Sequence, residues 1–205
     1  IKDNSYTLLD NDGNEVTSTP AYAADGTTEI GTYSIDPTTG QVTFTPTDKS
    51  YTGAVTPAKV QAESSNGIKV DTTYTPEIVP VTPTATPAET TDIQGATQKG
   101  KPEFKGGTVT VDGVEKTVEI NEDVPATFDD GSTTKTVEGV GTYTVAADGT
   151  VTFVPEKSFT GKAPAVTVVR EDKNGTKASA TYTPTVTPVT PTATPAESTG
   201  PQGLV

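Results

Sequence analysis

The residues of this chain best suited to chemistry are carboxylates, and they gather in short strings. Asp10-Asn-Asp-Gly-Asn-Glu15 sets oxygen ligands at alternate positions, as part of a calcium loop does. The full helix–loop–helix pattern needs a further acidic residue in register downstream, and flanking helices. Neither is present, so the string reads as an Asp-Gly hairpin turn. Asn121-Glu122-Asp123 is a second acidic cluster; it has no alternating ligand pattern and reads as a polar loop. Paired carboxylates also serve glycoside hydrolysis, but here they sit mainly in expected turns, on units too small for a large pocket. Lys59, Lys69 and Lys157 lie near expected strands and raise another chemistry, an intramolecular isopeptide with Asn or Asp. That reaction needs an apolar pocket and a nearby protonated carboxyl, so that the amine is neutral and the carbonyl polarised. The sequence names no partner for any of the three.

Absent residue types narrow the field further. The chain has no Cys, His, Met or Trp. That removes the thiolate nucleophile, the Ser–His pair and the common zinc and iron sites. It also removes the strongest aromatic platform for a sugar or cation. The expectation is a protein that is not an enzyme, with no catalytic, cofactor-binding or metal residues and no cofactor. The formal charge of −13 repels polyanions, which argues against nucleic acid and keeps repeated units soluble. No apolar run is long enough to span a membrane, and neither a signal peptide nor an anchoring tail is visible. Zero Cys excludes the disulfide-dense secreted class.

The elements that would position these residues are hairpins. Gly141–Val145 and Thr150–Val154 alternate apolar and polar residues on either side of an Asp-Gly turn. Gly31–Ile35 and Gln41–Thr45 repeat the pattern with one more turn residue. Tyr33, Ile35, Val42 and Phe44 should share a face, as should Tyr143, Val145, Val151 and Phe153. A second hairpin follows in each unit. Val166 and Val168 share a face on one arm, and Ala178, Ala180 and Tyr182 on the other. In the first unit Ala58, Val60 and Ala62 should face Ile68, Val70 and Tyr74. Asn66-Gly67 and Asn174-Gly175 are expected to form type I′ turns, with positive φ at both central residues. Tyr51-Thr-Gly53 and Phe159-Thr-Gly161 join the two hairpins. No segment keeps a 3.6-residue apolar period, so helix content should be low.

Ten residues, Pro80–Glu89, recur letter for letter at Pro188–Glu197, a step of 108 residues from Thr82 to Thr190. Tyr74-Thr-Pro76 returns as Tyr182-Thr-Pro184 at the same step. The chain is therefore a slice of a tandem array. With 31% hydrophobic and 6% aromatic residues, each unit buries one thin core. The expected fold is all-β: two tandem β-sandwich repeat domains, 1–95 and 96–205, in an elongated arrangement with Pro/Thr-rich extended connecting segments. At the N-terminal ends Ile1 is matched with Ile120, Leu9 with Phe128, and the Asp10–Gly13 turn with Asp129–Gly131. That leaves extra residues around Thr17–Ile30. It also leaves nothing in the first unit to match Gly95–Glu119, where a further hairpin turns at Asp112-Gly113. The first repeat is cut short or built without this piece. Pro at 76, 80, 83 and 87, and at 184, 188, 191 and 195, blocks helix and central strand and favours an extended path. Such a segment serves as a free linker or lies packed along the sandwich. Its Thr content suits O-glycans and an unmodified segment equally.

Gly141-Thr-Tyr-Thr-Val145, Val151-Thr-Phe-Val-Pro155, Ser158-Phe-Thr-Gly161, Tyr182-Thr-Pro184 and the Pro188–Glu197 block together resemble the CshA-type fibril repeat of streptococcal surface adhesins. The matching words recur in order from Gly31 to Glu89. The resemblance implies structural stalk repeats of a Gram-positive, cell-wall-anchored fibrillar adhesin, extracellular at the cell surface. The repeats would project a separate adhesive region away from the cell. The partners implied are neighbouring repeats of the same chain, and host surface glycoproteins met through other regions of the parent protein. No nucleic acid or membrane contact is expected, and the chain should be a monomer. The alternative is a module whose repeats themselves bind a host glycoprotein or a partner cell. Exposed aromatics would favour that reading, and here the aromatics fall mostly on the inward face.

Overall fold

The computed structural model describes residues 1–204, which contain no helix. They form two compact units. The first comprises Ile1–Pro83, Gly106–Asn121 and Glu171–Lys177; the second comprises Thr84–Lys105, Glu122–Arg170 and the residues from Ala178 onward.

In the first unit β1 (Thr7–Leu9), β2 (Glu15–Val16), β3 (Ser18–Tyr22), β4 (Glu29–Ile35), β5 (Val42–Pro46), β6 (Ala58–Glu63) and β7 (Lys69–Tyr74) make two antiparallel sheets. Their orders are β2-β1-β6-β7 and β3-β4-β5. Alternation puts Tyr33 and Ile35 inside, with Val42 and Phe44 packed against them, as the pattern requires. Tyr33 is fully enclosed, its ring 5.7 Å from Phe44 and edge-on to Tyr74 at 6.2 Å.

Next come β8 (Thr84–Thr86), β9 (Ala88–Ile93), β10 (Gln98–Gly100), β11 (Glu103–Lys105), β12 (Gly107–Val111), β13 (Val114–Val118) and β14 (Thr127–Phe128). The series ends with β15 (Thr134–Val137), β16 (Gly141–Val145), β17 (Val151–Pro155), β18 (Gly161–Lys162), β19 (Val166–Glu171) and β20 (Lys177–Thr187). The ribbon β12–β13 groups with the first unit. In the second unit the sheets run β10-β17-β16-β15 and β14-β19-β20-β18, and β9 lies parallel along β20. β8 and β11 form a short separate pair. Tyr143, Val145, Val151, Phe153, Val166, Val168 and Tyr182 all lie in the core of the second unit.

Three details differ from the sequence expectation, and the extra residues expected around Thr17–Ile30 find their place in the fold. Leu8, not Leu9, is the counterpart of Phe128: Leu8 pairs with Val60 on β6, as Phe128 pairs with Val168 on β19. A slip of one residue reverses the faces of a strand, and burial selects Leu8. The extra residues around Thr17–Ile30 extend a hairpin. β3–β4 pairs out to Tyr22 and Glu29, whereas β15–β16 closes at Val137 and Gly141. Ala21, Ala23 and Ile30 in this extension are buried.

The Asn-Gly turns are not type I′. Gly67 donates its N–H to the Ser64 carbonyl and Ser64 donates to Ile68, while only Gly67 has positive φ. Gly175 and Asp172 do the same with Thr176. These are three-residue loops with a glycine bulge. The two-residue I′ turn is at Asp112-Gly113, where both φ values are positive, 50° and 74°.

Lastly, Ile68 and Val70 are 59% and 57% exposed and Tyr74 is 36% exposed, although Ala58 pairs with Tyr74 and Ala62 with Val70 as the hairpin demands. β7 is an edge strand, and the facing sheet has three strands where its counterpart in the second unit has four.

The Pro/Thr block takes different structures in its two copies. Thr84–Thr86 and Ala88 onward are strands in the first copy, while Pro188–Glu197 is exposed and outside any strand. Identical letters are therefore ordered by context, with the packed placement realised from Thr84 onward.

Candidate functional site

The residues marked out by their chemistry do not converge. Asp10 Oδ1 accepts the N–H groups of Asp12 (2.9 Å) and Asn14 (2.8 Å), and Oδ2 accepts from the Asn14 side chain. These bonds, the Asn14 N–H foremost, hold its carboxyl below the usual range. Asp172 closes its own turn in the same way, accepting from the N–H groups of Asn174 and Thr176 at 2.9 Å. The Asp10 carboxylate thus serves as a turn lock. Among the described residues no group of three or more acidic side chains is placed to hold a metal ion. Glu122 pairs with the buried Arg170 at 2.8 Å. Lys59 and Lys157 are exposed, and Lys69 is paired with Glu15 on the surface. None of the three lysines lies in the apolar pocket that isopeptide formation needs.

What the fold does assemble is a clasp between the first and last long strands of the second unit. β9 runs parallel to β20 from Ala88 opposite Tyr182 to Ile93 opposite Thr187. The chain then crosses to the other sheet, where β10 pairs with β17. One side-chain chain of bonds fastens both steps. Thr90 Oγ1 donates to Gln98 Oε1 (2.6 Å) and therefore accepts from the Tyr182 hydroxyl (2.6 Å). Gln98 Nε2 donates to the Thr185 carbonyl (2.9 Å), so β9, β10 and β20 are tied together. Gln98 and Tyr182 are buried, and burial pushes the Tyr182 phenol up from its ordinary pKa. Gly100 lies against the Tyr182 ring so closely that a Cβ there would overlap it.

At the far end Gln94 donates its N–H to the Thr187 carbonyl, and its side chain bonds Val189 and Lys157. A second lock occurs in both units. The Tyr33 hydroxyl donates to the Thr56 carbonyl (2.6 Å) and the Tyr143 hydroxyl to the Pro164 carbonyl (2.7 Å). Desolvation first, and a neighbouring tyrosine second, push both phenols up to about 12.

Thr90, Gln98 and Gly100 carried no signal in the sequence, since a Thr, a Gln and a Gly in a polar stretch match many loops. Ala88–Ile93 had a partial one, because Ala88 and Glu89 fall inside the repeated block.

Antiparallel sheets closed on a buried core in each of two units, with the same sequence words recurring along one chain, define a β-sandwich repeat protein. The family described as the surface adhesin CshA repetitive domain matches residues 1–78 and again 80–186. The chain belongs to this family of surface adhesin repeats. Repeat domain 13 of the fibrillar adhesin CshA from Streptococcus gordonii is 60% identical over 33% of this chain and 86% of its own, with a TM-score of 0.20. Mouse cadherin-23 EC22-24 is 14% identical over 90% of this chain and 53% of its own, at a TM-score of 0.30. Drosophila N-cadherin EC1-3 is 17% identical over 83% and 55%, also at 0.30. At TM-scores this low the overlays carry no weight. No curated protein matches the chain.

Proposed function

We propose that these repeats form the stalk of a cell-wall-anchored fibrillar adhesin, set in single file, holding an adhesive region away from the cell and catalysing nothing. The observation that carries this reading is the parallel β9–β20 pair. Parallel first and last strands make the chain enter a sandwich at one end and leave it at the other. Five steps of ~3.3 Å separate Ala88 from Thr187 along the strand axis by about 17 Å. Tension on the chain then loads the whole ladder in shear, so its bonds resist together and do not open one by one. The aromatic residues support the same reading, because Tyr33, Tyr143, Tyr182, Phe128 and Phe153 are fully buried and offer no platform to a glycan. Solution scattering of the dilute chain tests the proposal. An elongated monomer is expected; a compact particle, with the repeats side by side, would contradict it.

A further inference from the structure

We propose that Asn66-Gly67 is a site of spontaneous covalent modification, converting to aspartate and isoaspartate, and that Asp172 guards the matching Asn174-Gly175 against the same reaction. The two dipeptides stand at matching places of the 108-residue step. The reaction needs an asparagine followed by a residue whose amide nitrogen can reach the asparagine side chain. Glycine, with no Cβ, obstructs that approach least. The Gly67 nitrogen forms a bond to Asn66 Cγ while the Cγ–Nδ2 bond breaks. The proton from Gly67, passed through water, ends on the leaving ammonia. Water then opens the cyclic imide: addition at Cγ gives aspartate, and addition at the main-chain carbonyl carbon gives isoaspartate. No other reactant is consumed.

The backbones of the two loops match. Gly67 donates its N–H to the Ser64 carbonyl and Gly175 to the Asp172 carbonyl, both at 2.9 Å, and their φ values are 82° and 80°. Each glycine nitrogen must leave this bond before it can attack. What differs is the residue that opens the loop. Ser64 is neutral: its hydroxyl donates to Asn66 Oδ1, polarising the carbonyl under attack, and accepts the Ile68 N–H at 3.0 Å. Asp172 puts a buried carboxylate there, whose Oδ1 accepts the N–H groups of Asn174 and Thr176 at 2.9 Å. Two charge-assisted bonds thus close the Asn174 loop where a neutral hydroxyl closes the other. The attack also develops negative charge on the glycine nitrogen and the side-chain oxygen. In the Asn174 loop that charge grows beside a buried carboxylate, whose field is poorly screened. In the Asn66 loop a hydroxyl meets it, as a donor meets an oxyanion. Glu63 does not undo the difference, because it is ion-paired with Lys2 at 3.2 Å and Glu171 stands at the matching place in the other copy.

The test incubates the full chain at mildly alkaline pH. Peptides covering 60–69 and 171–177 are then followed by mass spectrometry, with fragmentation that tells isoaspartate from aspartate. A synthetic Glu63–Lys69 peptide sets the unconstrained rate. Asn66 should gain the mass of an NH2-to-OH exchange about tenfold faster than Asn174. Ser64→Asp, which installs the Asp172 arrangement, should slow Asn66 by about tenfold. Asp172→Asn, which keeps the shape and removes the charge, should speed Asn174. These two variants separate the Ser/Asp difference from everything else that distinguishes the loops. Four results would overturn the proposal: equal or reversed rates at the two sites of the parent chain, an Asn66 rate unchanged by Ser64→Asp, an Asn174 rate unchanged by Asp172→Asn, or no conversion at Asn66 by the time the synthetic peptide has fully converted.

Discussion

Replacing Thr90 by Val keeps the shape of the side chain and removes only its hydroxyl. Two buried groups then lose their partner at once, the Tyr182 hydroxyl and Gln98 Oε1. A buried polar atom left unsatisfied costs about 1–3 kcal/mol, so Thr90→Val, which orphans two, should destabilise the second unit by about 2–6 kcal/mol. Tyr182→Phe is milder, because Thr90 keeps its bond to Gln98; it should cost about 0.5–1.5 kcal/mol. In the double variant the orphaned hydroxyl is gone. The two costs should then fall short of additive by about 1 kcal/mol, as expected of contacting residues. Hydrogen exchange across a urea series, read on peptides from 177–187, measures these values. Peptides from 29–46 belong to the first unit, which has no such bridge, and serve as the reference. A loss under about 0.5 kcal/mol for Thr90→Val, or a strictly additive cycle, would refute the bridging role.

Gly100→Ala should cost about 1–3 kcal/mol or more in the second unit, seen as a lower urea midpoint, because the added methyl overlaps the buried Tyr182 ring. Asn66→Ala should be nearly neutral whereas Gly67→Ala should cost about 1–2 kcal/mol, since only Gly67 sits at positive φ; thermal unfolding of the two variants checks this. Stability should also fall on alkalinisation. Tyr33 and Tyr143 ionise near 10 when unfolded and near 12 when folded, so between those values the unfolded chain binds fewer protons and unfolding is favoured. Urea midpoints should be flat from neutral pH up to about 10 and drop above it, and in Tyr33→Phe/Tyr143→Phe the drop should shrink. On the acid side Asp25, held down to about 2 by its bonds to Thr28 and Thr27, is one of several turn carboxylates with lowered values. Their contribution is present above the unfolded value of 3.8 and is lost as pH falls toward 2, which a titration of the unfolding midpoint will show.

The hairpin faces were legible because alternation is a local property. Tyr33 and Ile35, and Tyr143, Val145, Val151 and Phe153, sit inside as their spacing demands. Edges were not legible. Val70 and Ala178 occupy matching positions with similar alternation, yet whether such a residue is covered depends on which strands flank the arm and how many face it. The Asn-Gly turns misled because the dipeptide suits two loop lengths, and the choice rests on where the flanking ladder ends. The clasp was hidden for the same reason. Ala88–Ile93 finds its partner about 90 residues downstream, in parallel, where no turn signal joins the two strands. Pro80–Glu89 and Pro188–Glu197 make the limit plain, since one string of letters takes two structures according to what lies beside it.

Stretching single chains from their two ends most directly tests whether the β9–β20 ladder resists tension. Opening it frees the stretch from Ala88 to Thr187, roughly 330–360 Å at 3.3–3.6 Å per residue. The strongest rupture should be the one that releases this stretch, and Thr90→Val should weaken that rupture while leaving the others unchanged. A strongest rupture that ignores Thr90→Val, or a smooth extension without any rupture, would contradict the account.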